Sequence, residues 1–237
     1  MTRRRWIADE VSADRAFLTG DHADHLIRVL RARVGQEFDI VAAGVVRRGK
    51  VADIGDRKVE FELGEEVRSA AAANVTLLLA IFKFDRMEWA IEKCTELGVS
   101  KIVPVIARRT ETHLAQAAVK RVDRWRRIAL QAAEQSRRTS PPEISHPMKL
   151  GDVAALAGGS RIVLSESEQG TRLQDVINSA QGSETLLVIG PEGGWAQDEL
   201  ELLGRNGWVS ATLGETILRA ETAAIAATVL AISLSSE

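Results

Sequence analysis

Three ionisable residues, Glu192, Arg219 and Glu221, stand in two glycine-bearing loops near the end of the chain. The first loop, Gly190-Pro-Glu-Gly-Gly-Trp195, breaks a strand-like run over 185–189. The second, Leu213-Gly-Glu-Thr-Ile-Leu-Arg-Ala-Glu-Thr-Ala223, opens an apolar helix. Ligands of α/β proteins sit at the carboxyl ends of strands, often against helix N-termini, so these loops are the natural binding site. Glycine there permits positive φ and a close approach of backbone to ligand. Carboxylates move protons and a guanidinium holds an anion, so chemistry is expected as well as binding.

Other standard sites are excluded. There is no Gly-x-x-x-x-Gly-Lys-Ser/Thr loop, no Gly-x-Gly-x-x-Gly after the first α/β strand and no Gly-x-Ser-x-Gly elbow. His22, His25, His113, His146 and the lone Cys94 lack metal-ligand spacing, so no metal is expected. His22 and His25 read as capping or surface groups, and Cys94 as core.

The elements that hold the loops follow from periodicity. Residues 37–41, 45–51 and 58–63 are short, β-branched or alternating runs with glycines between them. A helix over 23–33 interrupts this β-rich first part, which reads as a small barrel-like domain over 1–70. The alanine-rich stretch 69–74 is the candidate linker, with a second domain over 74–237. There the continuous apolar run 75–81 is a strand covered on both faces. An amphipathic helix follows over 85–97, stopped by Gly98. Next comes a strand over 102–106, whose Pro104 predicts an edge or a bulge. A long helix over 116–135 buries Val122, Trp125, Ile128, Ala129 and Ala132. Strands over 161–164, 185–189 and 208–213 and helices over 197–204 and 220–234 complete a β/α alternation. Such alternation means a parallel sheet with helices on both faces.

The chain of 237 residues is 45% hydrophobic and 27% charged, enough for one large domain or two modest ones with a proper core. No apolar run approaches the roughly 18–20 residues that span a bilayer, and no apolar segment follows the basic N-terminus. With a single cysteine and no export signal, a cytoplasmic protein is expected. Net charge is −2, but between Arg108 and Arg138 nine Lys/Arg (108, 109, 120, 121, 124, 126, 127, 137, 138) face three acids (111, 123, 134), a local +6. A basic stripe of this kind is either a phosphate-backbone contact or a solvated helix face.

Five blocks, in order, resemble the ribosomal RNA small-subunit methyltransferase E family. They are His25-Leu-Ile-Arg-Val-Leu-Arg31 with Gly35; Lys83 through Lys93-Cys-Thr-Glu-Leu-Gly-Val99 with Pro104; Arg124-Trp125 through Glu134-Gln-Ser-Arg137 with Pro142; Gly190 to Trp195 with Glu199; and Leu213-Gly through Ala223. The resemblance implies a PUA-like β-barrel domain that binds RNA, followed by a SPOUT-class α/β methyltransferase domain with a deep trefoil knot. It implies a homodimer and transfer of methyl from S-adenosylmethionine to N3 of one uridine in the decoding region of small-subunit ribosomal RNA, either naked or in the assembled subunit. Glu215-Thr216 departs from the family, which often has proline and arginine there; that bears on affinity for RNA more than on activity.

The resemblance also implies a site. The donor would be held by Leu164, Ser165, Glu166, Ile189, Gly190, Pro191, Glu192, Gly193, Gly194, Leu213, Gly214, Ile217, Leu218 and Arg219. Glu221 or Glu192 would be the base, and Arg219 would stabilise charge on the uracil oxygens. Arg219 and Glu221 could instead form a local ion pair that orders the loop. Phosphates would meet Arg3, Arg4, Arg5, Arg28, Arg31, Arg108, Arg109, Arg124, Arg137 and Arg138. Trp195 is a stacking candidate for an extruded base, or a core side chain. Rival readings are another ribosomal or transfer RNA nucleotide, a non-catalytic assembly factor, and a small-molecule α/β enzyme.

Overall fold

The computed structural model describes residues 5–67, 73–179 and 184–234. Arg3, Arg4 and most of the expected linker lie outside them. The chain forms two compact units, Met1–Ala71 with Ala133–Ser140, and Ala72–Ala132 with Pro141–Glu237.

The first unit contains strands β1 (Arg5–Ile7), β2 (Glu10–Ser12), β3 (Arg15–Thr19), β4 (Glu37–Ala42), β5 (Val45–Gly55) and β6 (Lys58–Glu66). They form one six-stranded sheet in the order β1-β4-β5-β6-β3-β2. The two outer strands, β1 and β2, are joined in sequence by Ala8 and Asp9 alone. The Ala8 amide bonds the Val41 carbonyl and the Asp9 amide bonds the Phe17 carbonyl, so the sheet curls until its edges meet. Its inside is filled by Leu18, Ile40, Val51, Val59 and Phe61, all essentially buried. The alternation read at Val59, Phe61 and Leu63 is the inward face of β6.

The expected helix over 23–33 is displaced. Helix α1 (Gly20–Asp24) runs into a single π-type turn, His25–Val29. Arg31 then takes φ +50°, which ends the helix before Arg33. His22 is not a simple surface group: its Nδ1 lies 2.9 Å from Asp9 Oδ1 and its Nε2 3.8 Å from Glu134 Oε1.

The second unit is a parallel seven-stranded sheet, made of β7 (Val75–Ala80), β8 (Lys101–Ile106), β9 (Glu143–Ile144), β10 (Met148–Lys149), β11 (Ser160–Leu164), β12 (Thr185–Ile189) and β13 (Val209–Ala211). The order is β10-β8-β7-β12-β11-β13, with β9 beside β8. Every pairing is parallel, so all carboxyl ends lie along one edge. Helices α2 (Phe84–Leu97), α3 (Thr112–Gln135), α4 (Leu150–Ala154), α5 (Leu173–Ser179), α6 (Gln197–Arg205) and α7 (Ala220–Leu234) cover it.

Side chains alternate strictly across the sheet. Leu77, Leu79, Leu187 and Ile189 pack with α2, α3, α5 and α7. Leu78, Ala80, Leu186 and Val188 pack with α4 and α6. Both faces are apolar because both are covered. Cys94 is core as expected, beneath the Thr228 hydroxyl at 3.4 Å, and burial pushes its thiol up to about 12. Gly98 caps α2 at φ +116°.

Pro104 occupies neither an edge nor a bulge. Strand β8 pairs with β7 on one side, and its other side is shared by two short strands. Ile102 pairs with Ile144 and Val105 with Met148, so Pro104 falls in the gap where no donor is needed. The strand expected over 208–213 is shorter, Val209–Ala211.

Candidate active site

A cavity of about 420 Å³ opens at the carboxyl ends of β11, β12 and β13. Its wall takes Leu164, Ser165 and Glu166 from the first loop, Ile189, Gly190, Pro191, Glu192, Gly194 and Trp195 from the second, and 211–220 from the third. Of the predicted cofactor residues, Gly193 alone is not part of that wall. The volume falls within the range of small-molecule sites, and the mix of apolar side chains with backbone groups suits a flat heterocycle.

Local chemistry fixes each loop. Trp195 is buried, and its Nε1 donates to the Leu164 carbonyl at 2.8 Å, tying the second loop to the end of β11. A Cβ at Gly190 would stand 3.1 Å from that indole, a tight contact that glycine avoids. Gly194 takes φ +71° and Gly214 φ +138°. The Thr212 hydroxyl donates to the Gly214 carbonyl at 3.0 Å and receives its amide at 3.2 Å, bending the third loop back on itself. Buried Glu199 accepts the amide of Ala196, at the start of α6, and the amide of Arg108 from the loop after β8. The acid that followed the first motif is thus a backbone clamp.

The three candidate chemical groups part company. Arg219 lines the cavity, is exposed, and makes no ion pair with Glu221 or any other described residue. Glu192 also lines the cavity. Glu221 does not: it is 5% exposed, and its Oε2 is buried without a hydrogen-bond partner. Both carboxylates turn to Arg86, at 2.8 Å from Glu192 and 3.8 Å from Glu221. Arg86 was not among the predicted site residues. It follows β7, the neighbour of β12, and the parallel order of those strands brings it to the cavity edge.

Comparison with known proteins matches this architecture. The model of an RNA methyltransferase domain matches residues 69–232, and that of an RNA methyltransferase PUA domain matches 18–64. The ribosomal RNA small subunit methyltransferase E of Rickettsia conorii is 32% identical over 89% of this chain and 86% of its own. The Mycobacterium bovis protein of that name is 34% identical over 90% and 84%. The chain belongs to the ribosomal RNA small subunit methyltransferase E family. Two solved structures are also similar. The Neisseria gonorrhoeae family member bound to S-adenosyl methionine has TM-score 0.85 and 28% identity, covering 96% of this chain and 95% of its own. The putative methyltransferase Lpg2936 of Legionella pneumophila, in complex with its bound cofactor SAM, has TM-score 0.86 and 26% identity over 97% of both chains.

In this family member the basic stripe is less free than its local count suggested. Arg124 makes a two-pronged contact with Glu88 of α2, at 2.6 and 2.7 Å. Arg108 holds Asp198 at 2.6 Å. Arg109 donates to the Gly193 carbonyl, beside the cavity loop. Arg5 donates to the carbonyl of Arg137, and burial holds both Arg5 and Arg138 below the usual arginine range. Arg28 and Arg31 are exposed. No group of three or more His, Cys, Asp and Glu among the described residues is placed to hold a metal, and none of their helices is long and apolar enough to cross a membrane.

Proposed function

We propose that this protein methylates N3 of one uridine in the decoding region of small-subunit ribosomal RNA, with S-adenosylmethionine as donor. The observation that carries the reading is the single cavity that gathers three successive strand-end loops around Arg219. Its wall fits the donor: Leu164, Ile189, Leu213 and Leu218 are apolar, backbone amides flank them, and the glycines leave room. Bound there, S-adenosylmethionine supplies an electrophilic sulfonium methyl group.

The chain's own task is to make N3 nucleophilic and to align it. N3 carries a proton at neutral pH, and that proton must leave as the N–CH3 bond forms. Of the two candidate bases, Glu192 is the one on the cavity wall, and it takes that proton. Arg219, unpaired and facing the same cavity, holds the charge that spreads onto the uracil oxygens. Alignment within near-attack distance supplies much of the remaining rate. N3 lies on the Watson–Crick edge, so the base must be unpaired or extruded. Trp195 is committed to Leu164 and packs in the core, so stacking on a guanidinium is the better reading.

The barrel unit and the exposed members of the basic set, among them Arg31 and Arg28, the latter paired with Asp24 at 3.4 Å, bind the RNA backbone in this reading. The protein works in the cytoplasm as a homodimer whose C-terminal loops are knotted. Exposed Trp89 and Val229, and the apolar groove between α2 and α7, support the dimer. Pairing of Thr212 with Thr171 and Arg172 supports a threaded chain. The test is transfer of labelled methyl to small ribosomal subunits lacking the modification, with the product base mapped. Label in N3-methyluridine at one decoding-region site is expected. No label on subunits despite donor binding removes this reading in favour of another RNA.

A further inference from the structure

Arg86 has no role in the reading above, yet it is shared by two carboxylates from separate elements, Glu192 in the loop after β12 and Glu221 in α7. It lies in the first turn of α2. Its Nη1 donates to Glu192 Oε1 at 2.8 Å, and its Nε lies 3.8 Å from Glu221 Oε1. Arg86 and Glu192 line the cavity; Glu221, in the first turn of α7, lies behind it.

A carboxylate buried to the extent of Glu221 is strongly unfavourable without a counter-ion. Among the described residues Arg86 is the cation that reaches it. The ordering therefore runs outward: buried Glu221 fixes the guanidinium, and the guanidinium fixes the Glu192 carboxylate. Arg86 engages Oε1 of Glu192, and Oε2 makes no hydrogen bond with any described residue, so that oxygen remains for a ligand. The second loop gains an anchor on α2 that its own backbone does not supply.

We infer that Arg86 is a positioning residue: held by Glu221, it orients Glu192 so that one carboxylate oxygen faces the reacting base. The inference rests on the methyl-transfer reading for its chemistry and on the Glu221–Arg86–Glu192 geometry for its structure. It assigns Glu221 a role behind the wall, not that of the base.

The test uses R86M, R86K, E221Q and R86M/E221Q in the full chain. It measures thermal midpoint, S-adenosylmethionine affinity by calorimetry, and kcat and KM on small subunits. R86M is expected to lower kcat by about 100-fold while donor affinity stays within about threefold, and R86K to recover most of that loss. E221Q should lower kcat in the same sense without touching substrate. The double variant should be no slower than R86M and thermally more stable than it, because the buried charge is gone. Equal loss of donor affinity and thermal midpoint in R86M, with no separate fall in kcat, overturns the inference. So do additive effects of R86M and E221Q on the midpoint. If the wild type modifies no subunit but the midpoint coupling holds, the functional reading fails and the Arg86–Glu221 anchor stands.

Discussion

The indole Nε1 of Trp195 donates to the carbonyl of Leu164 across 31 residues of chain, at 2.8 Å, inside the core. That bond joins the end of β11 to the loop after β12, two of the three segments that shape the cavity. Trp195→Phe keeps an aromatic side chain, though a smaller one, and leaves the Leu164 carbonyl without its donor. A buried acceptor left unsatisfied costs about 1–3 kcal/mol. The variant should unfold several degrees lower in a thermal scan and bind S-adenosylmethionine less tightly. Unchanged donor affinity would show that the loop holds its shape without the tie.

Gly190 faces the same ring. An alanine Cβ there would lie 3.1 Å from Trp195 Cε2 and Nε1, and the indole is buried in the apolar cluster and tied to Leu164. The ring cannot retreat freely, so Gly190→Ala is expected to destabilise by about 1–3 kcal/mol. Calorimetric unfolding and a donor titration check it, and both should fall together. Gly214→Ala differs: nothing lies within 4 Å of its Cβ position, but φ is +138°. Strain there reshapes the loop, so donor affinity should fall with little change in the unfolding midpoint of the core.

The parts of this structure that were legible from sequence are those whose physics is local. The apolar run of β7 and the striped helices α2 and α3 announce themselves by period, α7 by being apolar on more than one face, and two of the cavity loops by glycine after a strand. What was hidden depends on residues far apart in the chain. Arg86 and Glu192 are separated by 106 positions. Nothing near Arg86 tells it from an ordinary helix-surface cation; only its place after a strand adjacent to β12 could have. The same distance effect misled the charge count, because Glu88 and Asp198, which neutralise Arg124 and Arg108, lie outside the counted window. Strands β9 and β10 have two residues each, too few to carry a period. The early end of the α1 segment turns on one backbone angle at Arg31, a residue type that does not advertise positive φ.

His22 makes the stability of the barrel unit depend on pH. Its hydrogen bond with Asp9, opposed by burial and aided by Glu134, raises its pKa from the ordinary 6.5. A raised histidine contributes fully below 6.5 and loses that contribution as pH rises through its folded value. Burial disfavours the ionised form of Glu134 and raises its pKa above 4.5, so its contribution is lost as rising pH ionises it, in the same direction as His22. Burial works against Asp9, but His22 and the Thr19 amide hold it below 3.8, so its contribution is lost only in stronger acid. From these three groups, thermal midpoints should be highest at about pH 4 to 4.5, decline as Glu134 ionises, and decline further toward pH 8 as His22 loses its proton. His22→Gln should flatten that decline. An equal decline in wild type and variant would remove His22 as its cause.

Arg219 separates binding from chemistry. It lines the cavity without an ion-pair partner among the described residues, so its removal leaves no buried charge behind. Arg219→Ala should fold with an unchanged midpoint and bind S-adenosylmethionine within a few-fold of wild type. If its guanidinium meets the anion only as the uracil loses its proton, kcat should drop by about 10²–10³-fold with KM for the subunit little changed. Arg219→Lys would keep the charge but not the planar two-donor face, and should recover only part of that loss. A rise in KM with kcat intact would instead mark Arg219 as a ground-state RNA contact, and the stabilising group would have to be sought elsewhere on the cavity wall.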